Sequence, residues 1–272
     1  MTLATVTLAS EARRDHLARQ QERLAPVRGL ERVVVWLDAA PPVDVPGTAV
    51  LHVPPAAEGM RLAAARNAGA AAALAAGATG VVLLDADCVP GPALLDRYAS
   101  ALRAHPGALL AGPVTYLREG DLVSTGTDLA ARTAPHPARP SPPDGEVVVA
   151  RPDEQVLFWS LSFATTAETW RRIGGFDEGY VGYGGEDTDF AMRAQAAGVP
   201  LAWVGGAHAY HQHHPVSSPP WQHLDDILRN GARFAERWGW WPMGGWLEAF
   251  AAAGAIERDG DGWRRTGRMP EA

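Results

Sequence analysis

Lysine is absent from the 272 residues, so every one of the 24 Lys or Arg side chains is arginine. That excludes a phosphate-binding loop built on lysine and a Schiff-base lysine. Cysteine is nearly absent as well. Cys88 is the only one, so an internal disulfide, a cysteine zinc knuckle and a CxxC redox pair are all ruled out. Beside Asp87 it reads either as a nucleophile or as a small packed residue, and buried free cysteine usually behaves as a small hydrophobe. Long apolar runs are missing: no window approaches the ~20 residues a spanning helix needs. No integral membrane segment is expected, and a soluble cytoplasmic protein is the expectation. Positive charge is in the minority, with a formal net charge of −7. This speaks against a nucleic acid or an anionic membrane as partner, and any bound phosphate must be gripped by a local site.

What is present is an alternation of short apolar runs with helical stretches, in a chain long enough for one compact globule. Thr5–Leu8, Arg32–Asp38, Thr48–Val53 and Val81–Leu84 read as strands, the last a continuous apolar run suited to a strand buried on both faces. Helices are expected from Ser10 to Leu24, Met60 to Ala76 and Pro92 to Ala104, the second closed by Gly77. The fold class is therefore α/β, with a right-handed, mostly parallel central sheet flanked by helices. A strand around Ala108–Ala111 precedes a Pro-, Gly-, Asp- and Arg-rich connection from Arg118 to about Asp153. That connection reads either as a lid or as a surface excursion. An apolar-aromatic strand, Val156–Thr166, follows it.

Three clusters carry chemistry. Asp85 and Asp87 stand where the Val81–Leu84 strand ends, the edge at which open α/β sheets bind ligands. Hard oxygen ligands there suit Mg²⁺ or Mn²⁺, although one aspartate can equally cap the next helix. Glu186, Asp187 and Asp189 follow a glycine-rich stretch and open a helix. Acids in a first turn suit the dipole, but three within four residues also repel one another and can lift a pKa towards that of a general base. His208, His211, His213 and His214 follow a strand and a glycine break. On extended backbone His211 and His213 share a side while Gln212 and His214 face the other way. Imidazole is a common transition-metal ligand. Beyond Pro219 a helix with a broad apolar face leads into Trp240, Trp241 and Trp246. These tryptophans suit core packing, stacking on a sugar ring or an oligomer interface, and the tail beyond Arg258 reads as frayed.

In order, "ARN" (Ala65 to Asn67), "LLDADCVP", "GGFDE" (Gly174 to Glu178), "GYGGEDTDF" and "AYHQHHP" resemble glycosyltransferase family 2 of the GT-A fold. The "GGFDE…GGED" block is similar to the carboxyl-terminal part of β-1,4-galactosyltransferases and to bacterial polysaccharide polymerases. The resemblance implies a GT-A domain over 1–215, with a nucleotide-binding half (1–115), a long loop (116–155) and an acceptor and metal half (156–215). A helical extension, 216–272, falls outside it. It further implies a nucleotide-sugar donor, UDP-sugar favoured, a glycan or small-molecule acceptor, and Mn²⁺ or Mg²⁺.

By the same resemblance Asp87 is the direct metal ligand, and Asp85 reaches the nucleotide ribose or a metal-bound water. Asp38 matches the base-binding aspartate. Arg61 matches a nucleotide-contacting arginine, with Arg66 as its substitute. Asp187 matches the general base and Glu186 its acceptor-holding neighbour. His211 completes the metal site, with His213 in reserve. The implied reaction is an inverting transfer of a hexose to a hydroxyl. A sugar nucleotidyltransferase and a catalytically silent GT-A-like binding module are the alternatives. The missing lysine counts against the first, and the presence of both Asp87 and Asp187 against the second.

Overall fold

The computed structural model describes residues 1–267 apart from 122, 125 and 126. Short, largely apolar runs form its centre. They are β1 (Leu3–Ala9), β2 (Glu31–Trp36), β3 (Ala49–His52) and β4 (Gly80–Leu84), crossed over by α1 (Arg14–Leu24) and α2 (Leu62–Ala75). Every residue of β4 is buried, as a strand with helices on both faces requires. α2 lies so close to the sheet that a Cβ on Gly69 would collide with Val6 and Val35, which is why that turn of an alanine-rich helix is glycine.

The chain continues through β5 (Cys88–Pro90), α3 (Leu94–Ala104), β6 (Leu109–Ala111), β7 (Val114–Tyr116), β8 (Val147–Val149), β9 (Ser162–Thr166) and α4 (Ala167–Ile173). Then come α5 (Glu186–Ala196), β10 (Leu201–Val204), β11 (Ala209–His211), α6 (Leu224–Trp238), α7 (Gly244–Ala252), β12 (Ile256–Asp259) and β13 (Gly262–Arg265). The main sheet has the order β3-β2-β1-β4-β9-β6-β10-β8, in which β9 and β8 run against the other six strands. One face packs Val6, Val35, Leu83 and Phe163 against α2 and α5, and the other packs Val82, Leu84 and Val204 against Tyr98 and Leu102 of α3. A small second sheet, β5-β11-β7, lies beyond the carboxyl end of β4.

Three expectations change here. The strand expected over Val156–Thr166 starts only at Ser162, because Pro152–Leu157 forms a 3-10 turn and the Ser160 N–H is given to a side chain rather than to a neighbouring strand. The Arg118–Asp153 connection is built into the body. It supplies β8 to the sheet edge, Leu129 to a buried cluster with Val89 and Tyr210, and Arg139, only 5 % exposed, between the rings of Trp159 and Trp203. The polar tail beyond Arg258 is not frayed as far as it is described: β12 and β13 pair as a hairpin closed by an Asp259–Gly262 turn. Residues 268–272 lie outside the described residues. No described helix is long and apolar enough to cross a membrane.

Candidate active site

The second sheet brings two of the motifs together. β11 pairs with β5 so that His211 stands opposite Cys88, and the Gln212 N–H donates to the Asp87 carbonyl at 2.7 Å. α1 supports the same turn from below: the buried Gln20 amide donates to the carbonyls of Asp85 (2.7 Å) and Cys88 (2.9 Å). Cys88 is fully buried, and burial, followed by the Asp87 charge, pushes its thiol far up. It is the small packed residue rather than a nucleophile.

Asp87 lies 3.6 Å from His211 Nε2, 3.3 Å from His214 Nε2 and 3.4 Å from Arg13 Nε. Burial alone would raise its carboxyl. The hydrogen bond from His214 and the charges of His211 and Arg13 outweigh that and hold it at about 2. One ligand atom from each of Asp87, His211 and His214 falls within 4.8 Å of the others. A carboxylate and two imidazoles, partly buried and convergent, fit a divalent transition ion. The two nitrogens favour Mn²⁺ over Mg²⁺, which prefers oxygen throughout.

His213 is the residue that differs from expectation. It is exposed, and His214 takes its place beside Asp87. The alternation argument assumed extended backbone, but β11 stops at His211 and the chain turns. α1 fixes that turn, with Arg19 donating to Gln212 Oε1 at 2.5 Å and Gln212 Nε2 to the His16 carbonyl at 3.1 Å.

Across the cleft the carboxylates gather on Arg66. Its guanidinium, buried in α2 and lying over the Phe176 ring at 5.1 Å, is 3.2 Å from Glu186, 3.8 Å from Asp85 and 3.9 Å from Asp187. Burial opposes that charge, and Asp187, Asp85 and Glu186 together outweigh burial and keep the arginine protonated. Burial and Asp187 push Glu186 up to about 7 against the pull of Arg66, and burial likewise carries Asp85 to about 7. The neighbouring motif residue has a separate task. Asn67 accepts from the Phe176 N–H at 2.8 Å and donates to the Phe176 carbonyl at 2.9 Å, clamping the "GGFDE" loop to α2.

The three acids that open α5 have three different settings. Glu186 turns inward to Arg66 and is nearly closed off. Asp189 is fully buried and is bound by Arg237 (2.7 Å) and the Trp238 indole N–H (2.9 Å) of α6. Asp187 stays 29 % exposed, and its two oxygens accept from the Ser160 hydroxyl (2.8 Å) and the Ser160 N–H (3.0 Å). Leu161, the next residue, accepts from the Asp85 N–H at 3.0 Å, so Asp187 and the Asp85 turn share one scaffold. The Gly182–Gly185 turn before them is tied down by α6. Asp226 accepts from the Tyr183 N–H (3.1 Å), while Arg229 and Asn230 donate to the Val181 carbonyl (2.7 and 3.1 Å).

Of the remaining expected residues, Asp38 follows β2 at the same sheet edge, its carboxylate accepting from the Glu11 N–H at 2.5 Å. Arg61 caps the start of α2, and among the described residues it is Arg66, not Arg61, that forms ion pairs with the carboxylate group. Sequence reasoning missed Arg13, His214 as a candidate ligand and Ser160. His214 had a signal in the histidine cluster, whereas Arg13 and Ser160 reach the site only through chain folding.

These features define the class of protein. The sheet order, the Asp-X-Asp turn at the end of β4 and the small second sheet make up the GT-A glycosyltransferase fold, and the structural comparisons agree. GalNAc-T7, solved with UDP, GalNAc and Mn²⁺, aligns with a TM-score of 0.60 at 17% identity, over 93% of this chain and 50% of that one. Staphylococcus aureus TarS 1-349 in complex with UDP-GlcNAc aligns with a TM-score of 0.55 at 12% identity, over 80% of this chain and 60% of that one.

In sequence, residues 154–215 match the family described as the N-terminal domain of galactosyltransferase. Validoxylamine A glucosyltransferase of Streptomyces hygroscopicus subsp. jinggangensis (strain 5008) is 43% identical over 44 residues, 16% of this chain and 10% of that protein. The same enzyme from subsp. limoneus gives the same figures. The chain thus spans about a tenth of the length of these curated relatives and half of GalNAc-T7.

Proposed function

We propose that this chain is a metal-dependent, inverting glycosyltransferase. It moves a hexose from a nucleoside-diphosphate sugar, UDP-sugar favoured, to a hydroxyl of a glycan or small-molecule acceptor. One observation carries the reading. The Asp87–His211–His214 group and the Ser160-braced Asp187 stand on the same cleft, linked by Arg66 and Asp85. The family match over 154–215 and the ligands named for the solved neighbours point the same way.

Asp87, His211 and His214 would hold the divalent ion, which when bound supplies charge to offset a departing diphosphate. Arg13, beside Asp87, adds a fixed positive charge on that side of the cleft. Asp85 and Asp38 stand on the nucleotide side. Asp187 takes the proton of the acceptor hydroxyl as it attacks the anomeric carbon from the face opposite the diphosphate, which inverts that centre in one displacement. Each Asp187 oxygen accepts one bond from Ser160 and keeps a lone pair for that proton. Glu186, closed off against Arg66, sets the charge around the base.

Thermal stabilisation by UDP, GDP and dTDP, each with Mn²⁺ or with EDTA, tests the donor site without knowledge of the acceptor. One nucleotide with Mn²⁺ is expected to raise the melting temperature. The shift disappears in Asp87→Ala and in His214→Ala and persists in His213→Ala. No shift with any nucleotide at millimolar concentration would move the assignment to a silent GT-A-like module.

A further inference from the structure

A cavity of about 690 Å³ lies in the C-terminal extension, between α6, α7 and the β12–β13 hairpin. It is separate from the catalytic cleft. α6 turns Asp226, Asn230, Arg233 and Arg237 to the catalytic body, where they hold the Val181–Tyr183 backbone, Asp177 and Asp189. Ala232 and Ala235, on the opposite side of the helix, line the cavity together with Glu236 on its flank. A helix about 10 Å across therefore stands between the two.

The lining combines indole surface with carboxylates. Trp240 is 39 % exposed, its ring held edge-on by the buried Phe234 at 4.7 Å. Trp241 packs against Gly231, where a Cβ would come within 2.7 Å of its ring, and Trp263 closes the hairpin side. Exposed Glu236, Glu248 and Asp261 stand around them. Arg258, the one basic lining residue, lies over the Trp263 ring at 4.0 Å.

The turn that presents the tryptophans is itself unusual. Met243 has φ +61°, and among the described residues it is the only non-glycine in the left-handed region. Such outliers persist only where the surroundings enforce them. Here the turn sends Trp240 and Trp241 to the cavity and the Met243 sulfur back onto Gly184, in the loop before Glu186 and Asp187.

We propose that this cavity is a second saccharide site, which takes uncharged pyranose units of a glycan chain apart from the catalytic centre. Its volume lies within the usual range for small-molecule sites. Indole faces match the C–H face of a pyranose ring. Carboxylates only accept hydrogen bonds, and a sugar offers them a ring of hydroxyl donors. Three carboxylates against one arginine, already engaged on Trp263, repel phosphates, nucleotides and acidic glycans. A purely apolar peptide would bury the same carboxylates without partners.

The test titrates the full chain, in EDTA and without nucleotide, with maltotetraose, cellotetraose, chitotetraose and methyl β-galactoside. Tryptophan emission and saturation-transfer NMR are the readouts, on wild type, Trp240→Ala, Glu248→Gln and Asp87→Ala. At least one saccharide is expected to bind saturably at millimolar concentration. Affinity falls by about tenfold or more in Trp240→Ala and in Glu248→Gln and is unchanged in Asp87→Ala. Stabilisation by UDP with Mn²⁺, measured on the same samples, shows that the two pocket variants are folded and reads the donor site independently, so either proposal can fail alone. No saturable binding by any of the four saccharides overturns the inference. So does binding that survives both pocket substitutions, or a Trp240-dependent response to an apolar peptide with none to the saccharides.

Discussion

Glu186 is the residue through which this site couples to pH. Its carboxyl is raised from 4.5 to about 7, first by burial and then by the Asp187 charge. Between those values the folded chain holds a proton that the unfolded chain has lost. Stability from this group is thus complete below about 4.5 and declines as pH rises through about 7. Asp85, also carried to about 7, works in the same direction. Asp87, held at about 2, works in the opposite direction and only in acid. In EDTA the wild-type melting temperature is therefore expected to drop relative to that of Glu186→Gln as pH rises from 5 to 8, a comparison in which the opposing contribution of the buried His208, lowered to about 4, cancels. Subtracting one curve from the other gives a difference that grows with pH. Parallel curves would show that Glu186 titrates as an ordinary surface acid.

At the scale of elements, what was legible in the sequence was whatever contiguous residues decide. β4 and its Asp85–Asp87 turn follow from four apolar residues, Val81–Leu84, ending in charge, and the start of α5 follows from glycines running into acids. Pairings set by where a strand stops were not legible. β11 ends at His211, so His214 rather than His213 returns to Asp87. β9 begins at Ser162, so Ser160 is free to bind a carboxylate. Arg66 displaces Arg61 in the carboxylate group for a related reason: the face of α2 that meets the cleft is fixed by packing on β1 and β2, not by its own weakly patterned alanines.

The shortened strand has a functional consequence. Ser160→Ala removes the hydroxyl donor to Asp187 Oδ1 and leaves the N–H bond to Oδ2, so the proposed base stays in place but less firmly oriented. Turnover of the nucleotide-sugar donor is expected to fall about 10- to 100-fold, while stabilisation by UDP with Mn²⁺ is unchanged. An equal loss in both measurements would mean that Ser160 supports the proposed donor site rather than the proposed base.

Taken as a whole, the molecule is one body because a charge fully buried in the catalytic part has its partners in the extension. Asp189 receives Arg237 and the Trp238 indole from α6, and Asp177 of the "GGFDE" loop receives Arg233 (2.9 Å) and Arg237 (2.7 Å) from the same helix. The family match stops at 215, yet two of the carboxylates inside the matched segment are neutralised from beyond it. Arg237→Ala leaves Asp189 with the indole alone. Stranding a buried carboxylate in this way costs about 3 kcal/mol, or very roughly 6 to 12 °C in melting temperature for a chain of this size. Because α6 also holds the Val181–Tyr183 backbone, the extension and the catalytic body are expected to unfold together. Calorimetry of Arg237→Ala should therefore show a single transition shifted down. If instead a small early transition separated from an unmoved main one, the extension would be an independent unit, and its hold on the loop before Asp187 would not contribute to the stability of the fold.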